Sequence, residues 1–138
     1  MIKIIDASGC IVGRLASSVA KGLLNGEQIH VINAELAVIS GTKKMVFAEY
    51  VEKRNLNHPR KGPYYPRMPH MMLKRAVRGM IPYQKPRGRE AFKRLKVDVG
   101  KPASLSDGKI EMFDGAKMKK SSQYVTLGDV SKVLGAKF

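Results

Sequence analysis

The chain opens with short apolar runs separated by stretches of helical spacing. "IKII" (Ile2–Ile5) suits a buried strand and ends at Asp6. In "VGRLASSVAKGLLN" the residues Val12, Leu15, Ala16, Val19 and Leu23 fall on one side at helical spacing, which predicts an amphipathic helix. Gly26 of the Asn25-Gly26 pair can take the left-handed conformation that ends helices. "QIHVIN" reads as a second strand. Strand, helix and strand in this order make a βαβ crossover, right-handed and with its two strands parallel.

"LAVIS" is a further short apolar run, and "GTKK" opens a helix over Thr42–Asn57 with Thr42 as N-cap. Val46, Tyr50 and Val51 give that helix a modest buried side. From Asn57 to Pro69, "NHPRKGPYYPRMP" places four prolines in thirteen residues. That density excludes a helix or a central strand and predicts an extended loop. Next, Met72, Leu73, Ala76, Val77 and Met80 share one arc of a helix, with Lys74, Arg75 and Arg78 opposite. After the "IPYQKPRG" break, Ala91, Phe92 and Leu95 share a side from which Lys93 and Arg94 point away. Each helix can dock its apolar side on a sheet and turn its basic side outward. "LKVDV" alternates, so Leu95–Val99 reads as a strand covered on one face, near the sheet edge. Past Pro102, Asp114-Gly115 favours a tight hairpin turn. In "TLGDVSKVLG", Thr126 and Asp129 form a variant capping box and Gly135 is the stop.

Composition changes this picture mainly through charge. A chain of 138 residues with 43% hydrophobic content fits one globular domain. Cys10 is the only cysteine, so an internal disulfide or a cysteine metal cage is excluded. The apolar runs fall far short of a membrane span of about 20 residues, and no amino-terminal stretch has the form of a secretion signal. A soluble intracellular chain is expected. Its charge is the outlier: 26 basic against 11 acidic residues give +15. Residues 53–96 hold fourteen Lys or Arg against Glu90 alone, while the remaining chain carries twelve basic and ten acidic residues. So localised a block implies a polyanionic partner.

The block includes Arg54, the loop residues Arg60, Lys61 and Arg67, and the outward sides of both later helices. Many point charges together with forked donors are what a phosphate backbone requires. Tyr64, Tyr65 and Tyr83 lie within it and could stack on unpaired bases, which favours structured RNA over plain duplex. No DNA-reading finger, basic zipper or helix-turn-helix pattern is present. His58 and His70 flank the proline-rich loop. They read equally as phosphate or base contacts and as solvent-exposed side chains.

Enzyme chemistry finds little support. The turn in "DASGCIVGR" has Gly9 and Gly13 but matches neither the dinucleotide fingerprint nor the phosphate loop of nucleotide hydrolases, and reads as a structural turn. No paired Cys/His spacing suggests a metal. Cys10 has no evident base and reads as a small buried residue, as His30 reads as a satisfied buried or edge histidine. No catalytic residue, metal or cofactor is assigned, and no small-molecule substrate is expected.

"DASGCIVGRLAS", "VINAE", "GTKK", "LKRAVRGMIPYQKPRGREAFKRLKV" and "YVTLGDVSKVLG" together resemble, in order and over essentially the whole chain, the thirteenth protein family of the large ribosomal subunit. The compact middle and the tail after Pro102 look like its archaeal and eukaryotic branch. The resemblance implies a three-layer α/β domain with a mostly parallel central sheet, a core over residues 1–100 and a C-terminal extension over 101–138. It implies a structural, non-enzymatic role in the cytoplasmic large subunit, with ribosomal RNA and neighbouring ribosomal proteins as partners and no self-association. By motif match, Arg75, Arg78, Lys85, Arg87, Arg89, Lys93 and Arg94 lie in the RNA-facing region, with Lys43 and Lys44 of "GTKK" as a second contact. The alternatives are a free RNA-binding regulator of translation and, more remotely, a nucleotide-binding enzyme.

Overall fold

The computed structural model describes residues 2–56, 60, 62, 65–102, 110–111 and 123–137. Strand β1 (Ile2–Asp6), helix α1 (Val12–Leu24) and strand β2 (Gln28–Ile32) form the expected crossover, with β1 and β2 parallel. Gly26, at φ +94°, turns the chain out of α1. A short 3-10 turn (Ala34–Leu36) leads to β3 (Val38–Ser40) and α2 (Lys43–Asn55). Thr42 caps α2 through its hydroxyl, which accepts the Met45 N–H at 3.3 Å. Helices α3 (Pro69–Arg78) and α4 (Pro86–Lys93) follow, then β4 (Leu95–Val97), β5 (Ile110–Glu111), β6 (Tyr124–Thr126) and α5 (Leu127–Val133).

Proline starts both basic helices. Pro69 and Pro86 occupy first-turn positions, where a missing N–H costs nothing. The preceding Met68 and Lys85 are extended, at ψ 139° and 150°, as residues before proline prefer to be.

Four strands pair in the order β4-β2-β1-β5, every pairing parallel. Ile5, Val31 and Val97 align across the sheet, as do Ile29 and Leu95. These residues join one core with Leu15, Val19 and Leu23 of α1, Leu73 and Val77 of α3, and Ala91 of α4. The alternate row of Ile4, His30 and Lys96 faces the other way. Ile4 and His30 are buried there, while Lys96 at the edge is exposed. His30 pairs through Nε2 with the Asp98 carboxylate, which satisfies the buried imidazole. The α/β class with a parallel sheet and flanking helices is therefore the one found. β4 is an edge strand with Leu95 and Val97 buried, matching the alternation read in "LKVDV".

Some features depart from the sequence reading. Met80 lies past the end of α3 and is 45% exposed, because the chain leaves the helix at Gly79. Ile110–Glu111 joins the sheet beside β1 as a parallel strand, and the hairpin expected at Asp114-Gly115 lies outside the described residues. Near the C-terminus, β6 pairs antiparallel with β3. Val125, Leu127, Val130 and Leu134 are buried in the same core as α1. Thr126 caps α5 by accepting the Asp129 N–H at 3.2 Å, and Gly135 follows that helix at φ +95°.

Candidate nucleic-acid interface

The turn after β1 illustrates what the fold does not offer. The backbone donors of Ala7, Ser8, Gly9 and Cys10 in this turn are engaged within the chain. Ala7 N–H bonds Ile32 O at 3.0 Å, Gly9 N–H bonds Leu36 O at 3.1 Å and Cys10 N–H bonds Ala7 O at 3.0 Å. The Ser8 N–H bonds the Asp6 carboxylate at 2.9 Å, and Asn33 Nδ2 donates to the same oxygen at 3.1 Å. A negatively charged side chain thus occupies the place an anion would take. Cys10 is fully buried, its thiol against the Asp6 carbonyl at 3.7 Å.

The surface formed by α3 and α4 is cationic. Helices α3 and α4 bury Pro69, Met72, Leu73, Val77 and Ala91, pack Ala76 and Phe92 partly against the same core, and carry their basic residues on the other side. Arg78, Lys85, Arg87, Arg89 and Lys93 are exposed, and Lys74 and Arg75 are partly covered. No ion pair holds Lys74, Arg78, Arg87 or Arg89 among the described residues.

What partly covers Lys74 and Arg75 is aromatic. Lys74 Nζ stands 5.1 Å from the centre of the Phe92 ring, Arg75 lies 5.0 Å over Tyr65, and Arg78 lies 5.6 Å over Tyr83. Tyr83 and Phe92 meet edge to face, with centroids 5.4 Å apart. These contacts orient the cations on flat supports instead of leaving them to sample solvent. Between α3 and α4 the three cations, with Tyr83 and Phe92, line a pocket of about 330 Å³, which Pro66 and Met71 complete.

A second aromatic pair ties the end of α2 to this face. Tyr50 and Tyr65 pack edge to face, with ring centroids 5.9 Å apart. Burial raises the pKa of the Tyr50 hydroxyl far above the ordinary tyrosine value, with the charges of Tyr65 and Glu49 adding to the effect. Burial raises that of Tyr65 as well, and the Arg75 guanidinium opposes it. Lys53 lies 4.6 Å over Tyr50 and 3.3 Å from the Glu49 carboxylate, and Arg54 donates to the Tyr65 carbonyl. Tyr65, read from sequence as a base-stacking residue, is therefore packed into the protein from several sides.

The remaining candidates divide. Arg60 and Arg67 are exposed. His58, Lys61 and Tyr64 lie outside the described residues. His70 sits half-buried in the first turn of α3, its buried Nδ1 without a hydrogen-bond partner among the described residues. Arg94 points into the fold and donates from Nη2 to the Leu23 carbonyl at 2.6 Å, at the carboxy-terminal end of α1. Lys43 and Lys44 are exposed at the start of α2, roughly 15 Å along the helix from Arg54 at 1.5 Å per residue. Gly41, Thr42, Lys43, Gln123 and Tyr124 border a separate open pocket of about 350 Å³ there. From sequence, Phe92 reads as core alone, and Met71 as helix packing with a sulfur-rich binding surface as the weaker option. The only local signal was an aromatic either side of the Pro86 turn.

Comparison with known proteins agrees with the sequence resemblance. The sequence model of the family described as ribosomal protein L13 matches residues 1–104. "Large ribosomal subunit protein uL13" of Methanococcoides burtonii is 53% identical, covering 98% of this chain and 99% of its own. The proteins of that name from Archaeoglobus fulgidus and Methanosphaera stadtmanae are 51% and 48% identical. They cover 96% and 100% of this chain, and 86% and 100% of their own length.

Proposed function

The chain belongs to the ribosomal protein L13 family, and from that premise we propose that it organises ribosomal RNA in the large subunit through its α3–α4 face. The family is one of ribosomal structural proteins and not of enzymes. The observation that carries the reading is the division of labour in these two helices. Their apolar sides belong to the core, and the outward sides expose one sign of charge, interrupted only by Glu90. Such a surface repels itself unless anions are brought to it. Folded RNA, where phosphates converge and repel each other in turn, meets the need on both sides. Neighbouring ribosomal proteins would share the rest of the surface, with the protein acting as a single copy in the cytoplasmic large subunit.

Sedimentation of a cell extract tests the proposal. Recovery with large subunits after a moderate-salt wash is the expected result. Recovery mainly in the soluble fraction would reject it in favour of a free RNA-binding regulator.

A further inference from the structure

The α3–α4 pocket is built differently from the rest of the basic face. Its rim is cationic, formed by Lys74, Arg75 and Arg78, but its floor is apolar and open to solvent: Met71 is 50% exposed and Tyr83 41%. We infer that this pocket receives one unstacked nucleobase of the bound RNA, with the adjoining phosphates on the rim. The inference rests on the RNA-binding reading and deepens it.

Phosphate alone does not call for such a floor. A surface made only to neutralise phosphates gains nothing from exposing Met71 and Tyr83 at its centre beside the half-buried Phe92, where apolar atoms stay in water until something flat covers them. Within a polyanion the flat apolar parts are the bases, and in RNA only unpaired bases can leave the stack to be covered. A protein knob would present the apolar surface but would have to supply carboxylates for a rim of a single sign.

The geometry suits a base in other respects. Arg78 lies over Tyr83 and Lys74 over Phe92, so each ring already has a cation on its face. A base entering beside them can stack on a guanidinium plane or an aromatic edge while its phosphate meets the same side chains. The volume of about 330 Å³ is at the small end for ligand pockets, which limits the occupant to a single nucleotide.

Fluorescence anisotropy on the full chain tests this with two labelled nine-nucleotide RNA probes. One is oligoadenylate; the other has the same ribose-phosphate backbone with every base removed. Both carry equal charge, so both should show affinity that falls with potassium chloride at the same slope. Oligoadenylate should bind the wild type roughly tenfold more tightly, in line with one stacked base. Tyr83→Ala should erase that preference without altering the salt slope. Phe92→Leu, which keeps an apolar side chain in the half-buried position, should weaken it. Equal affinity of the wild type for both probes would overturn the inference, and so would a preference that survives in a folded Tyr83→Ala variant. Equal affinity combined with poor subunit incorporation of Tyr83→Ala would instead give the pocket to a protein neighbour. Salt-independent binding of both probes would reject the RNA-binding reading itself, an outcome distinct from all of these.

Discussion

Gly88 in α4 lies directly against the main-chain carbonyl of Pro82: a β-carbon on Gly88 would stand 1.9 Å from that oxygen and 2.3 Å from its carbon. The turn from Pro82 to Lys85, closed by the Lys85 N–H on Pro82 O at 3.0 Å, is thereby pressed onto the helix it introduces. This contact fixes where Tyr83 stands relative to Phe92. Neither partner can yield as a flexible side chain would, since both are backbone.

Gly88→Ala is expected to destabilise the protein by about 3 kcal/mol, at the upper end of the cost of overpacking. It should also disturb the Tyr83–Phe92 pair. Gly79→Ala is the control, because its new methyl group would meet nothing closer than 3.6 Å. Urea unfolding of the two variants measures the difference, and equal midpoints would contradict the contact.

A second expectation concerns Arg94. Its guanidinium is bound to the end of α1, where the helix dipole favours a cation. Arg94→Met should cost about 1–2 kcal/mol, a little under the full worth of a charged hydrogen bond, because Arg94 Nε is already buried without a partner among the described residues. RNA affinity should keep its salt slope. A lower slope with unchanged stability would place Arg94 on the RNA instead.

Much of the fold was legible because it rests on short-range patterns. The βαβ crossover follows from apolar spacing between Ile2 and Ile32, and the caps at Thr42 and Thr126 follow from side chains three residues from their partners. The parallel pairing of Ile110 with Ile4 and the His30–Asp98 pair depend on residues far apart in the chain, which no local period encodes. The charge block was equally legible as a total. What the sequence hides is which cations rest on aromatic rings and which stand alone. Arg75 and Arg87 look alike in a string of letters, yet Arg75 lies over Tyr65 while Arg87 extends into solvent.

That distinction decides how the basic face should be probed. Reversing Arg75 and Arg78 would remove packing on Tyr65 and Tyr83 as well as charge, so the two substitutions mix stability with binding. Arg87→Glu with Arg89→Glu is cleaner. Both residues are exposed in the first half of α4, where a carboxylate is favoured by the helix dipole. The unfolding midpoint should stay close to wild type. The slope of log affinity against log salt for a ribosomal RNA transcript should fall by roughly 0.7 to 0.9 for each phosphate no longer neutralised, and incorporation into subunits should drop. An unchanged slope would remove α4 from the interface.

The tyrosine pair sets a limit at high pH. Burial raises the pKa of the Tyr50 and Tyr65 hydroxyls in the folded state, whereas in the unfolded chain both ionise near the ordinary value of about 10. The neutral forms are thus favoured by folding. Their contribution to stability is fully present below about pH 10 and is lost as pH rises beyond it, because the unfolded chain then releases protons that the folded one retains. Urea midpoints should hold level up to about pH 9 and then decline. Tyr50→Phe removes one of the two ionisations and should make the decline shallower. Absorbance at the phenolate band should show a fraction of the tyrosines ionising only as the fold is lost. Parallel pH dependence in wild type and Tyr50→Phe would mean that the ring pair between α2 and the 65–67 segment is open to water, and that the basic face is not braced from that side.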